Sequence, residues 1–240
     1  WGADIDPYRP SAAIAQGTGS PQGEAIAPLG DTWGAGLYTA FAQQHHDATG
    51  RTIAHAPSHL YGSWAHEDQV RFDGFLPLYT LLQDSPTSTS GPTLGDLRVQ
   101  ALVPLGATDT EVSFGVLSSL GLPTGSKAKR VGAGWQAGAV GVASGDHGAW
   151  GWLANLGVNL SPTSITESTG TGSHLHTADA VWFSPKEGMR VGLEGVTRWD
   201  LPKGPSGSNT SVVTHLFVQS QQPGGYALMV GAGRGWTEGL

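Results

Sequence analysis

The residues best equipped for chemistry are the nine histidines. His45-His46 are adjacent in a polar stretch that reads as an external loop, and His174 and His176 are spaced two apart. On a strand, residues i and i+2 share a face, so the second pair could begin a metal site. No third ligand is identifiable, and solvated or interfacial histidine is the reading retained; no metal is expected. Ser58-His59 and Ser173-His174 suggest a nucleophile with its base. Adjacent strand residues point to opposite faces, so neither pair can cooperate. No G-x-S-x-G elbow sits between a strand and a helix. Gly231-Ala232-Gly233-Arg234-Gly235 has the look of a nucleotide loop, but no helix follows it, and a strand needing small residues fits better. Lys127, Lys129 and Arg130 form a small basic cluster that could touch lipopolysaccharide phosphates or simply be solvated. No enzyme, catalytic residue or cofactor is expected.

The elements carrying these residues follow from composition and period. In 240 residues, hydrophobic types reach 38% and charged types only 13%, low on both counts for a soluble globule. Gly supplies 37 residues and Trp 9. There is no cysteine, which excludes disulfides, thiolate nucleophiles and Cys-bearing zinc sites. The formal charge of -7 opposes nucleic acid as a partner. No apolar run approaches the roughly 20 residues of a membrane helix. Trp1-Gly2-Ala3-Asp4 reads like a mature N-terminus whose export signal has been removed.

Residues 1–32, rich in Gly, Pro, Ala and Gln, read as an irregular N-terminal periplasmic extension, and 33–240 as one domain. From Trp33 onward, segments alternate apolar with small or polar side chains, the period of strands. Eleven are visible: roughly 33–44, 57–66, 69–82, 94–106, 110–122, 131–144, 148–161, 173–184, 189–200, 210–221 and 225–236. Their connections alternate long and short. His45–Ala56, Gln83–Thr93, Pro123–Arg130, Pro162–Gly172 and Leu201–Asn209 are long. Glu67-Asp68, Gly106–Thr110, Gly145–His147, Pro185–Gly188 and Gln222–Gly224 are short. Long outer loops and tight periplasmic turns are the pattern of an outer-membrane barrel.

The faces divide by chemistry. Val70, Phe72, Leu76 and Leu78 oppose Arg71 and Asp73, and Met189, Val191, Leu193 and Trp199 oppose Arg190, Glu194 and Arg198. A charge facing lipid at mid-membrane costs about 2–4 kcal/mol, so the charged faces are expected to line the lumen. The lumen-lining candidates are Arg71, Asp73, Asp96, Arg98, Gln100, Glu111, Asn155, Asn159, Arg190, Glu194, Arg198, His215 and Gln219. Trp33, Trp64, Trp150, Trp152, Trp182, Trp199 and Trp236 fall mostly near strand ends, where aromatic girdles form.

Leu94-Gly95-Asp96-Leu97-Arg98, Leu120-Gly121-Leu122-Pro123-Thr124-Gly125 and Gly231-Ala232-Gly233-Arg234-Gly235 occur in that order. Over roughly 33–240 the chain thereby resembles the barrel portion of OmpA-like outer-membrane proteins of myxobacteria and related bacteria. Members commonly carry a C-terminal peptidoglycan-binding domain; none is expected within residues 33–240, so wall anchoring is not carried over. The resemblance implies one more strand beyond Thr237-Glu238-Gly239-Leu240. Bacterial single-chain barrels have even strand numbers, which agrees.

The expectation is an all-β, transmembrane, antiparallel up-and-down β-barrel of about 12 strands, 11 of them visible, in the bacterial outer membrane. Two roles compete: a porin-like channel for small hydrophilic solutes, or a structural envelope component, including a plugged scaffold recruited into a larger assembly through residues 1–32. An outer-membrane lipid hydrolase and a soluble β-sandwich binding protein rank lower. Expected partners are outer-membrane lipid, lipopolysaccharide and other envelope proteins.

Overall fold

The computed structural model describes residues 32–39, 42–46, 51–67, 69–81, 91–106, 111–125, 135–161, 173–201, 210–222 and 226–237. The expected extension at 1–32 lies outside this set except for Thr32, and so do most of the long connections. Among the described residues there is no helix. The strands are β1 (Thr32–Thr39), β2 (Ala42–His46), β3 (Arg51–His66), β4 (Val70–Leu81), β5 (Gly91–Leu94), β6 (Leu97–Pro104) and β7 (Val112–Leu122). They continue as β8 (Gln136–His147), β9 (Trp150–Leu160), β10 (Ser173–Lys186), β11 (Met189–Leu201), β12 (Thr210–Gln222) and β13 (Tyr226–Thr237).

Two of these breaks lie within single arms. β1 and β2 pair with β3 in one unbroken register, Thr39 opposite Ser58 and Ala42 opposite His55. β5 and β6 both pair with β4, but Leu78 faces Leu94 while Phe75 faces Arg98, so the register slips by one residue. The result is an antiparallel up-and-down sheet of eleven arms, ordered β1-β3-β4-β6-β7-β8-β9-β10-β11-β12-β13. The sheet is barrel-like and is not closed; β1 and β13 are its edges.

The stagger is steep. A line of directly opposed residues runs Trp64, Phe72, Ala101, Ser118, Ala139, Val158, Leu175, Trp199, Thr210. It leaves β3 two residues before that strand ends at His66 and meets β12 twelve residues before its end at Gln222. Ten residues of drift over eight steps, at about 3.3 Å per residue and 4.8 Å per strand, give a tilt of about 40°. That lies within the 35–45° typical of barrels.

One face is buried and the other exposed. β7 alternates exposed Val112, Phe114, Val116 and Leu120 with buried Ser113, Gly115, Leu117 and Gly121. β9 buries Gly151, Leu153, Asn155 and Gly157 and turns Trp150 and Leu156 outward. The buried face holds two apolar clusters: Leu102, Leu117, Val140 and Val142, and Leu153, Ala180, Trp182 and Phe217 with Met229.

Several expectations shift. His45 and His46 are strand residues, opposite Thr52 and Arg51, because the β2–β3 hairpin extends past its apolar part. The turn expected at Gly145–His147 falls at Gly148 and Ala149, since Gly148 has the positive φ of 62° that a two-residue hairpin turn demands. Likewise β10 runs through Pro185 to Lys186, and Gly188, at φ 71°, makes the next turn. Trp182 is not in a girdle; it is 3% exposed on the inner face.

Candidate functional site

The inner face gathers the polar side chains. On β4, the Arg71 Nε donates to both Asp73 carboxylate oxygens, at 3.1 and 3.0 Å, and the two side chains are fully buried. Gln100 on β6, which stands directly opposite Asp73, donates its Nε2 to Asp73 Oδ2 at 3.0 Å. The single Nε–H of Arg71 is shared between the two carboxylate oxygens and the Gln100 amide adds a second donor, so side chains rather than solvent surround the pair.

The next group lies toward the long connection after β7. The register slip makes Asp96 the extra residue of a β-bulge, and a bulge re-aims side chains. Asp96, which the sequence reading placed within a strand, points inward from this break, and its Oδ1 accepts the Gly125 N–H at 2.7 Å. Thr124 Oγ1 accepts the Leu97 N–H at 2.7 Å and donates to the Gly95 carbonyl at 3.2 Å. Two of the glycine-rich motifs, 94–98 and 120–125, are therefore stitched together. Arg98 Nη2 donates to Gln136 Oε1 at 3.1 Å, passing over Gly121; a Cβ at Gly121 would stand 3.1 Å from that of Gln136.

On the far side, Glu194 and His215 are ladder partners, and His215 Nδ1 meets Glu194 Oε2 at 2.9 Å. Glu194 is wholly buried. His174 and His176 share the inner face, ring centroids 5.5 Å apart, with Arg198 directly across from His176. Among the described residues no group of three His, Cys, Asp or Glu could hold a metal. Asn155 is buried beside Ala178, and Asn159 lies opposite His174. Arg190 and Gln219 are ladder partners near the tight turns.

Twelve of the thirteen candidates thus lie on the inner face or, for Asp96, point toward it. Glu111 differs: it is exposed just ahead of β7. Ser58 and His59 fall on opposite faces, with His59 buried. Lys127, Lys129 and Arg130 lie outside the described residues.

Trp182, expected in a girdle, instead turns inward with the Arg190 guanidinium over its ring at 5.0 Å, and the sequence reading does not single out the outward Asp179. Asp179 is exposed at mid-strand, opposite Ala154 and Gly195. A signal for it existed. In β10, Leu175, Val181 and Phe183 set the outward phase, and Asp179 keeps it.

The outer face carries large apolar residues on nearly every arm, including Leu37, Phe72, Val116, Leu156, Leu193, Leu216 and Val230. Exposed Trp33, Trp64 and Trp150 stand at the tight-turn end of this face, and Trp135, Trp199 and Trp236 at the other. Arg234, also outward, stacks on Trp236 at 4.3 Å.

No known family, curated protein or solved structure matches this chain.

Proposed function

We propose that the chain is the wall of an outer-membrane β-barrel with a filled interior, serving as a structural component of the envelope. One observation carries the reading: the apolar face is the exposed one, and the face bearing paired charges is the buried one. A soluble monomer rarely exposes an apolar patch beyond a few hundred Å². Here large apolar residues are exposed on nearly every arm. On β9 it extends from Trp150 to Leu160. Ten residue rises at a tilt of about 40° project to about 25 Å, the height of the apolar band of such barrels. Tryptophans at both ends suit the two interfaces, and Arg234 stacked on Trp236 suits a cation reaching for the polar side.

The buried Arg71–Asp73–Gln100 network and the two inner apolar clusters favour a filled interior over a water-filled one. Planar-bilayer recording of the purified protein tests the role. Insertion without current is expected, with insertion verified by protease protection. Stable ohmic steps would replace this reading by a porin-like channel for small hydrophilic solutes.

A further inference from the structure

Asp179 sits where the outer face should carry no charge. It is exposed on β10, and its ladder partner on β9, Ala154, lies four residues from Trp150 and six from Leu160, the ends of that strand. The carboxylate therefore stands near the middle of the apolar belt. It accepts hydrogen bonds from the Thr177 side chain and the Asn155 backbone, and both donors are neutral. Its outward neighbours on the flanking arms are Trp152, Ala154 and Leu156 on β9 and Leu193, Gly195 and Thr197 on β11. None of them carries a positive charge.

The face is also low there. Ala154 and Gly195 stand directly opposite Asp179, and a Cβ added at Gly195 would meet nothing within 4 Å, whereas Leu156, Val181 and Leu193 are exposed around them. Small residues let a second backbone come close in a membrane. An ionisable group at that depth is costly, and it marks a contact with a group of opposite charge. The outward cation on this line of opposed residues is Arg234, three arms away through Gly195 and Thr214. Three strand spacings of about 4.8 Å put it about 14 Å from Asp179, too far to pair. At a tilt of about 40° the same step lifts it about 9 Å toward the long connections. The Arg234 of a second copy in the same orientation therefore does not meet Asp179 either.

We infer that this patch docks a membrane-spanning segment of another protein that carries a lysine or arginine at mid-depth. The cation pairs with the Asp179 carboxylate, and the backbone of the segment packs over Ala154 and Gly195. The inference rests on the membrane reading, and its test separates the two.

The full chain is placed in phosphatidylcholine vesicles, with insertion verified by protease protection; failure to insert would remove the membrane reading and this inference with it. Two tryptophan-free, coumarin-labelled helical probes of about 20 residues are then compared, built from leucine and alanine with a single lysine at the centre or next to one end. Energy transfer from the nine tryptophans of the chain reports binding. The central-lysine probe is expected to bind about tenfold more tightly, and Asp179→Asn should bring it down to the level of the other. Both probes carry the same charge, so attraction to the net charge of -7 does not separate them. Equal binding of the two probes by the inserted, unmodified chain, or a preference that survives Asp179→Asn, would overturn the inference and leave the membrane reading standing.

Discussion

Replacing Asp73 by alanine measures how dry the inner face is. The carboxylate accepts two hydrogen bonds from Arg71 Nε, at 3.1 and 3.0 Å, and one from Gln100 at 3.0 Å. The Arg71 and Asp73 side chains are both 0% exposed, so solvent does not screen them. Asp73→Ala removes the carboxylate paired with the buried Arg71 side chain, and breaking a buried pair from one side costs roughly 3–5 kcal/mol. Replacing both charges, as Arg71→Met with Asp73→Leu, takes away both halves of the pair and should recover most of that loss. The assay is reversible urea unfolding of the protein in lipid vesicles, followed by tryptophan fluorescence, for both variants and the parent. An ion pair in a water-filled lumen is worth only about 0–1 kcal/mol. A loss for Asp73→Ala within that smaller range would refute the filled interior and return the barrel to the channel reading.

Three further substitutions probe the faces separately. On the proposed membrane reading, Asp179→Leu should raise stability in lipid vesicles by about 1–2 kcal/mol, since a mid-strand carboxyl on the outer face would then meet hydrocarbon at a cost below that of Arg or Lys; urea unfolding showing no gain would count against that reading for this part of the face. At Gly192 a new Cβ would meet the Phe217 ring and stand 2.7 Å from the Val181 carbonyl, whereas at Gly195 it would meet nothing within 4 Å. Gly192→Ala should therefore cost about 1–3 kcal/mol and Gly195→Ala less than about 1 kcal/mol, and equal unfolding midpoints would contradict the packing of the inner face.

Period and connection length made the arms legible because each strand keeps one phase for a dozen residues. The segment read as 148–161 is β9, Trp150–Leu160, and its outward Trp152, Leu156 and Leu160 are the residues the alternation selects. Register between strands was not legible. The slip that frees Asp96 exists only as a difference between two ladders, and no local pattern announces it. Residue type also misled. Trp182 was assigned to a girdle because tryptophans favour interfaces, but its even-numbered phase in β10, shared with buried His174, Ala178 and Ala180, fixes it inside. At His45 and His46 the polar sequence Gln43–Asp47 carries no period-2 signal, so only the ladder to Thr52 and Arg51 reveals a strand there. Twelve of the thirteen polar candidates fall on the buried face because each strand alternates faces strictly and their charges keep the phase opposite to the large apolar residues.

On the proposed membrane reading, the division of labour between the faces inverts that of a soluble sheet. Outward Leu, Val and Phe gain nothing from burial against one another, because lipid tails are as apolar as they are. What holds the fold is the backbone ladder, which must satisfy every amide in a medium without water, together with the contacts of the inner face. The inner apolar clusters and the Arg71–Asp73–Gln100 and Glu194–His215 groups therefore bear a larger share of the stability than similar groups in a water-soluble protein. Outward exchanges among Leu216, Val218 and Val230 leave that set untouched, while a single inward change such as Asp73→Ala strikes it directly. The apolar composition of the belt sets where the chain resides, and the sparse inward charges set how firmly it stays folded there.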